Sequence, residues 1–154
     1  MRIAILVVGH ENFGKTHNLK KLTDDSSPRW FELFGRNFFL RRGSNDDAWF
    51  EYKKMIEKLD PKKKPDIILA FCPKFGDDTK KHIAGFVIKA LKAKGYKLFF
   101  WVIKHRFKNP EETVTDAEIK RLESHGVVEV FKKINPSPLA GAEDLRKFIK
   151  AALR

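Results

Sequence analysis

Four segments of the chain are apolar without alternation: residues 3–8, 67–71, 98–103 and 127–131, the last interrupted by Glu129. A strand with one wet face alternates apolar and polar residues, so runs like these belong in a largely parallel sheet covered on both faces. The segments between them supply the cover. Ile83, Phe86, Val87, Ala90 and Leu91 recur at helical spacing, with Asp77, Asp78 and Thr79 as capping material ahead and Gly95 as a stop behind. Thr115 and Glu118 have the spacing of a capping box, Ile119 and Leu122 follow on one face, and Gly126 is expected to close that helix. Trp49, Tyr52, Ile56 and Leu59 form another amphipathic set after Asn45, Asp46 and Asp47, and Leu145, Phe148, Ile149, Ala152 and Leu153 mark a terminal helix.

Residues 29–42 break this rhythm. Two aromatic-rich stretches, 29–34 and 37–41, are separated only by Gly35 and Arg36, which predicts a β-hairpin with a two-residue loop. The expected order is β, α, ββ hairpin, α, β, α, β, α, β, α. With right-handed crossovers this is a three-layer α/β/α sandwich, its sheet mostly parallel with one hairpin. A length of 154 residues suits one domain over 1–154.

The apolar runs are far shorter than the roughly 20 residues that span a bilayer, so no membrane association is expected. The amino terminus enters an apolar run too short for a secretory segment and without a small-residue cleavage site, which reads as a mature cytoplasmic protein. The single cysteine, Cys72, forms no internal disulfide and reads as a small packed hydrophobe. His10, His17, His82, His105 and His125 have no metal-ligand spacing. A formal charge of +12 favours phosphate-bearing or acidic partners, a nucleic acid or an acidic protein among them, while many of the lysines also serve to solvate helix faces. No zinc-finger, basic-zipper or RNP signature accompanies the charge.

Directly after the first apolar run comes Gly9-His10-Glu11-Asn12-Phe13-Gly14-Lys15-Thr16, a complete G-x-x-x-x-G-K-[ST] sequence that opens a helix over 16–22. The chemistry needs these residue types at this spacing. Glycines let backbone N–H groups of Gly9, Asn12, Phe13, Gly14 and their neighbours close around phosphate oxygens, and Lys15 brings a point charge to the β and γ phosphates. Thr16 offers a hydroxyl to Mg²⁺, and the first turn of the helix, through Lys15, Thr16 and His17, offers unpaired donors. Lys15 and Glu11, a carboxylate inside the loop, are the candidate catalytic groups. Ligands of α/β sheets lie beyond the carboxyl ends of strands, which brings Pro73, Lys74, Lys104 and Arg106 toward the open side of the loop.

On this loop and the order of elements, the chain resembles the P-loop NTPases, and more narrowly their small GTPase-like branch, whose members carry a β-hairpin between the first two helices. The eight loop residues also resemble the G-H-x-D-H-G-K-T loops of translational GTPases, with Asn12 and Phe13 at two of the fixed positions. The resemblance implies a single P-loop nucleotide-binding domain that takes Mg²⁺ with ATP or GTP. The family's D-x-x-G after the hairpin is represented only by Asp46 or Asp47, either of which would join Thr16 at the metal or cap the next helix. The guanine-reading N-K-x-D has no counterpart, since Lys104-His105-Arg106-Phe107 follows the third run; a switch threonine is missing too, Ser26 and Ser27 being the hydroxyls past Thr23, and no Gln stands where one would orient water. The expectation is a Mg²⁺-dependent nucleoside triphosphate-binding protein whose hydrolysis is weak or partner-activated. Two alternatives stay open. One is a small P-loop kinase with Arg41, Arg42, Asp46 and Asp47 at its acceptor. The other is a nucleic-acid-binding module that keeps its loop and uses Trp30, Phe31, Arg36, Phe38, Phe39, Arg41 and Arg42 of the hairpin.

Overall fold

The computed structural model describes residues 2–26, 28–60, 62–63, 65–75 and 83–154. The expected cap at Asp77, Asp78 and Thr79, together with Ser27 and His82, lies outside them. Strand β1 (Ile3–Val8) leads into α1 (Lys15–Leu22), the hairpin β2 (Trp30–Leu33) and β3 (Arg36–Arg41), and α2 (Trp49–Glu57). Then follow β4 (Asp66–Phe71), α3 (Ile83–Ala93), β5 (Lys97–Ile103), a small hairpin of β6 (His105–Arg106) and β7 (Asn109–Thr113), α4 (Asp116–Glu123), β8 (Val127–Phe131) and α5 (Ala140–Ala152).

Six strands form one sheet in the order β2-β3-β4-β1-β5-β8, parallel except for β2. Hydrophobicity sorts them. The runs in β1, β4 and β5 are buried almost throughout and take the centre, whereas β2 and β8 alternate between exposed and half-buried residues and take the edges. The fourth apolar run is therefore an edge strand, with Val127 48% exposed, rather than a strand covered on both faces. Parallel connections step from β1 toward β3 and later from β4 across β1 to β5. Right-handed crossovers in opposite directions send α1 to one face and α2, α3 and α4 to the other. Helix α5 returns to α1: Arg146 donates to Leu22 O at 2.9 Å, and Gly141 lies so near α1 that a Cβ on it would come within 2.0 Å of Asn18 Oδ1.

The hairpin turns one residue earlier than its sequence suggests. Phe34 and Gly35, with φ of 52° and 75°, form the loop, since both central positions of the turn that matches strand twist need positive φ. Arg36 is instead a strand residue paired with Leu33, and its guanidinium forms a two-pronged bond to Asp66, at 2.8 and 2.9 Å. Asp66 also accepts from Ile3 N, which fixes the start of β4 to the start of β1. Thr115 forms the expected capping box with Glu118. Gly126 does not close that helix by a left-handed turn; a Cβ there would lie 2.3 Å from Leu98 O, so the glycine is needed for the close approach to β5. Gly95, at φ 84°, is the left-handed stop expected after α3. No helix among the described residues is long and apolar enough to cross a membrane.

Candidate functional site

The chain reverses its direction of travel across the sheet at β1, which has β4 on one side and β5 on the other. Such a reversal opens a crevice beyond the carboxyl ends of the strands. The glycine loop fills this place. Gly9 N donates to Phe71 O at 3.0 Å, carrying the β1–β4 pairing one step past the sheet. Asn12 at φ 64° and Gly14 at φ 93° turn the chain back, and Gly14 becomes the N-cap of α1 without a side-chain cap, so the first helical N–H groups keep free valence toward the loop. At Gly9 a Cβ would meet Phe13 Cβ at 2.9 Å, so the loop closes only over hydrogen.

Phe13 is buried, meets His10 edge-on with centroids 5.7 Å apart, and donates its backbone N–H to His10 O at 3.2 Å, so it serves to hold the loop closed. Glu11, Asn12, Thr16 and His17 are exposed. Lys15 is folded inward: it is 7% exposed, and its Nζ donates to Gly9 O at 2.6 Å and to His10 O at 3.3 Å. Burial lowers its pKa, against the pull of Asp46, whose Oδ1 lies 3.9 Å away. Loop residues Glu11 through His17 and Asp47 bound a cleft of about 370 Å³.

Asp46 is held by the sheet through its neighbour. Asn45, wholly buried, accepts from Cys72 N at 2.6 Å and donates to Cys72 O at 3.2 Å, so its amide pairs with β4 as another peptide group would. Neither acidic residue caps α2: the N-cap is Ala48, without a side-chain bond, and Asp47 Oδ2 instead takes the Ser44 N–H at 3.4 Å. Burial pushes the Asp46 pKa up, but Ser44, Lys15 and Lys74 together outweigh it and hold the carboxyl below its ordinary range. Lys74 Nζ lies 3.9 Å from its Oδ2, while Oδ1 is buried with no hydrogen-bond partner. Cys72, fully buried as expected, sits against this carboxylate, and burial together with Asp46 raises its thiol to about 12, so it remains a neutral thiol.

Two of the cations expected on the open side of the loop have partners of their own. Lys104 is spent on Val114 O at 2.7 Å and Asp116 at 3.1 Å, and Arg106 on Glu112 at 2.7 Å, both within or beside the β6–β7 hairpin. Lys74 is the one of the three that reaches the site.

Three features were not foreseen. His10 Nε2 lies 3.0 Å from Glu118, the capping-box residue of α4, tying the loop to that helix. Asn45 gives no motif, because its amide pairs with a strand distant in sequence. Beside the loop, a second cavity of about 480 Å³ opens between His105 and Phe107 on one side and Pro136 and Pro138 on the other, sharing Asn12, Gly14 and His17 with the glycine loop. His17 closes its rim by bonding Pro138 O at 3.1 Å. The Asn135–Pro138 cluster is legible as a loop, but not as a wall.

Among the described residues no group of three or more His, Cys, Asp or Glu is arranged to hold a metal. Mg²⁺ does not require one, since it keeps several waters and binds through one or two protein oxygens plus phosphate. The unpartnered Asp46 Oδ1 and the exposed Thr16 fit that modest donor set. No protein-family model matches the chain, and no curated protein matches it.

Proposed function

We propose that this protein is a Mg²⁺-dependent nucleoside triphosphate-binding domain of the P-loop type, acting on the terminal phosphate of ATP or GTP. The observation that carries the reading is Lys15: a cation drawn out of water at the mouth of a glycine loop, held only by loop carbonyls and facing a carboxylate with an unused oxygen. A buried cation whose countercharge lies beyond hydrogen-bond reach keeps part of its desolvation cost, and an incoming phosphate relieves that cost. Triphosphate oxygens take the loop N–H groups and Lys15. Thr16 and Asp46 hold Mg²⁺, with Asp47 at the edge of the same cleft. Bound there, the metal neutralises charge developing on the phosphates. The nucleobase enters the neighbouring cavity, where Phe107 and the two prolines offer apolar contact and His105 a polar edge.

A second reading, phosphoryl transfer to an acceptor other than water, is favoured by the placement of Asp46. It follows β3 at the carboxyl ends of the strands, flanked by Lys15 and Lys74, where a carboxylate can accept a hydroxyl proton. Glu11 is exposed and has no hydrogen-bond partner among the described residues that would aim it at water. Calorimetry with Mg²⁺ and ATP, GTP or their diphosphates tests the main reading, and Phe107→Ala and Lys15→Ala report separately on the base and phosphate ends. Absence of heat with every nucleotide would overturn it.

A further inference from the structure

A concavity larger than the cleft at the glycine loop lies elsewhere on the described residues. A groove of about 850 Å³ runs along β3 and beside α2, from Arg42 and Gly43 at the carboxyl end of the strand to Asp60 and Pro65 at the other. Its floor is aromatic: Trp30 and Phe39 are cross-strand partners whose rings meet edge-on at 5.4 Å, and Trp30 remains 48% exposed.

Its rim is cationic. Arg29, Arg41, Arg42, Lys54, Lys58 and Lys63 border it, against the carboxylates of Glu51 and Asp60. Arg41 lies over the Tyr52 ring at 5.6 Å, and its Nε is buried without a hydrogen-bond partner, a donor that an acceptor oxygen would satisfy. Of the hairpin side chains expected to contact nucleic acid, Phe38 is wholly buried and Arg36 is engaged by Asp66, so both are removed from that set. Phe31 packs half-buried against the core and does not line the groove, whereas Trp30, Phe39, Arg41 and Arg42 do.

An apolar protein segment has no use for so many cations, and a small anion has no use for an aromatic floor. A flat π surface between spaced cations, along a strand of six residues or about 20 Å, suits a chain that alternates bases with phosphates. We propose that the groove between the hairpin and α2 binds single-stranded nucleic acid, with a base stacked on Trp30 and backbone phosphates along Arg29, Arg41, Lys54 and Lys58. This stands apart from the phosphate-loop reading and does not depend on it.

The test is fluorescence anisotropy of labelled DNA and RNA oligonucleotides of about 12 nucleotides, within the site sizes of single-strand binders, with the full chain and no nucleotide. Both are expected to bind. Trp30→Ala should weaken binding about tenfold and Trp30→Phe much less, as expected for loss of one stacked base. The pair Lys54→Ala and Lys58→Ala should lower the slope of log affinity against log salt by about 1.4. Lys89→Ala with Lys120→Ala, on exposed positions of α3 and α4, should behave as wild type. Inorganic polyphosphate, which lacks bases, should bind wild type and Trp30→Ala alike. Wild-type binding by both groove variants, equal weakening by the Lys89 and Lys120 pair, or no oligonucleotide binding at low salt overturns the assignment. An acidic protein as the true occupant would appear as that last outcome.

Discussion

Asp46 Oδ1 faces Lys15 Nζ at 3.9 Å, too far for a hydrogen bond and near enough for strong attraction, with no other partner for the oxygen. A phosphate–metal pair inserted between the two groups would meet each with its opposite charge. Replacing Lys15 with Ala should then weaken triphosphate binding by an order of magnitude or more, since a hydrogen bond to a charged group contributes about 1.5 to 3 kcal/mol. Titration calorimetry on a variant with an unchanged circular dichroism spectrum measures it; equal affinity would remove Lys15 from the site.

The two aspartates should separate in their response to metal. Asp46→Asn is expected to lose most of the Mg²⁺ dependence of nucleotide affinity, and Asp47→Asn little, because Asp47 is exposed and occupied with the Ser44 N–H. Binding titrations with and without Mg²⁺ decide it. The reverse ranking would move the metal to the outer edge of the cleft.

Turnover by the isolated protein should be slow. On the proposed reading the loop would provide ground-state contacts, and only groups that act on the transition state accelerate the chemistry, a role that no Gln at the expected place in the sequence fills. Single-turnover assays should give a rate constant below about 1 per second, under the usual enzyme range. Release of labelled phosphate to an added hydroxyl acceptor faster than to water would favour the phosphotransferase reading.

Asp66 makes a prediction about stability. Burial alone would raise its pKa, but bonds from Arg36 and Ile3 N outweigh this and hold it low. Because the folded value lies below the unfolded one, this contribution is present above the ordinary aspartate range and is lost as pH falls through the folded value. Asp66→Asn should cost about 2 to 4 kcal/mol at neutral pH and flatten the acid limb of the stability profile. Denaturant melts at a series of pH values would show both effects, and an unchanged acid limb would assign acid sensitivity to another group.

Gly141 tests how α5 supports the loop. A methyl there would collide with Asn18, which is not free to swing aside because its Nδ2 donates to Gly14 O at 2.8 Å. Gly141→Ala should destabilise by about 1 to 3 kcal/mol and weaken nucleotide binding with it. Adding Asn18→Ala should restore part of the stability but not the affinity. Thermal melts and calorimetry on the single and double variants separate the two effects.

What the sequence made legible follows interaction range. The loop, the capping box at Thr115 and the four apolar runs are local patterns, and each reappears in the structure. The hairpin turn was misplaced by one residue because Arg36 is drawn into the strand by Asp66, a partner no local pattern reveals. The two acidic residues after the hairpin look like cap material for the same reason: the Asn45 bond to Cys72 that orients them is non-local. The β6–β7 hairpin escaped notice because Asn109 and Pro110 argue against a strand; a left-handed Lys108 at φ 66° makes its turn.

The Asn45 amide has one more consequence. Because it docks on β4 instead of on the hairpin, the acidic segment inherits its position from the interior of the sheet, and the hairpin is left as an outrigger. Variation in the outrigger need not be transmitted to the carboxylate. Changes confined to the outer strand β2, in charge or aromatic content, should therefore leave the loop and its acidic companion in place.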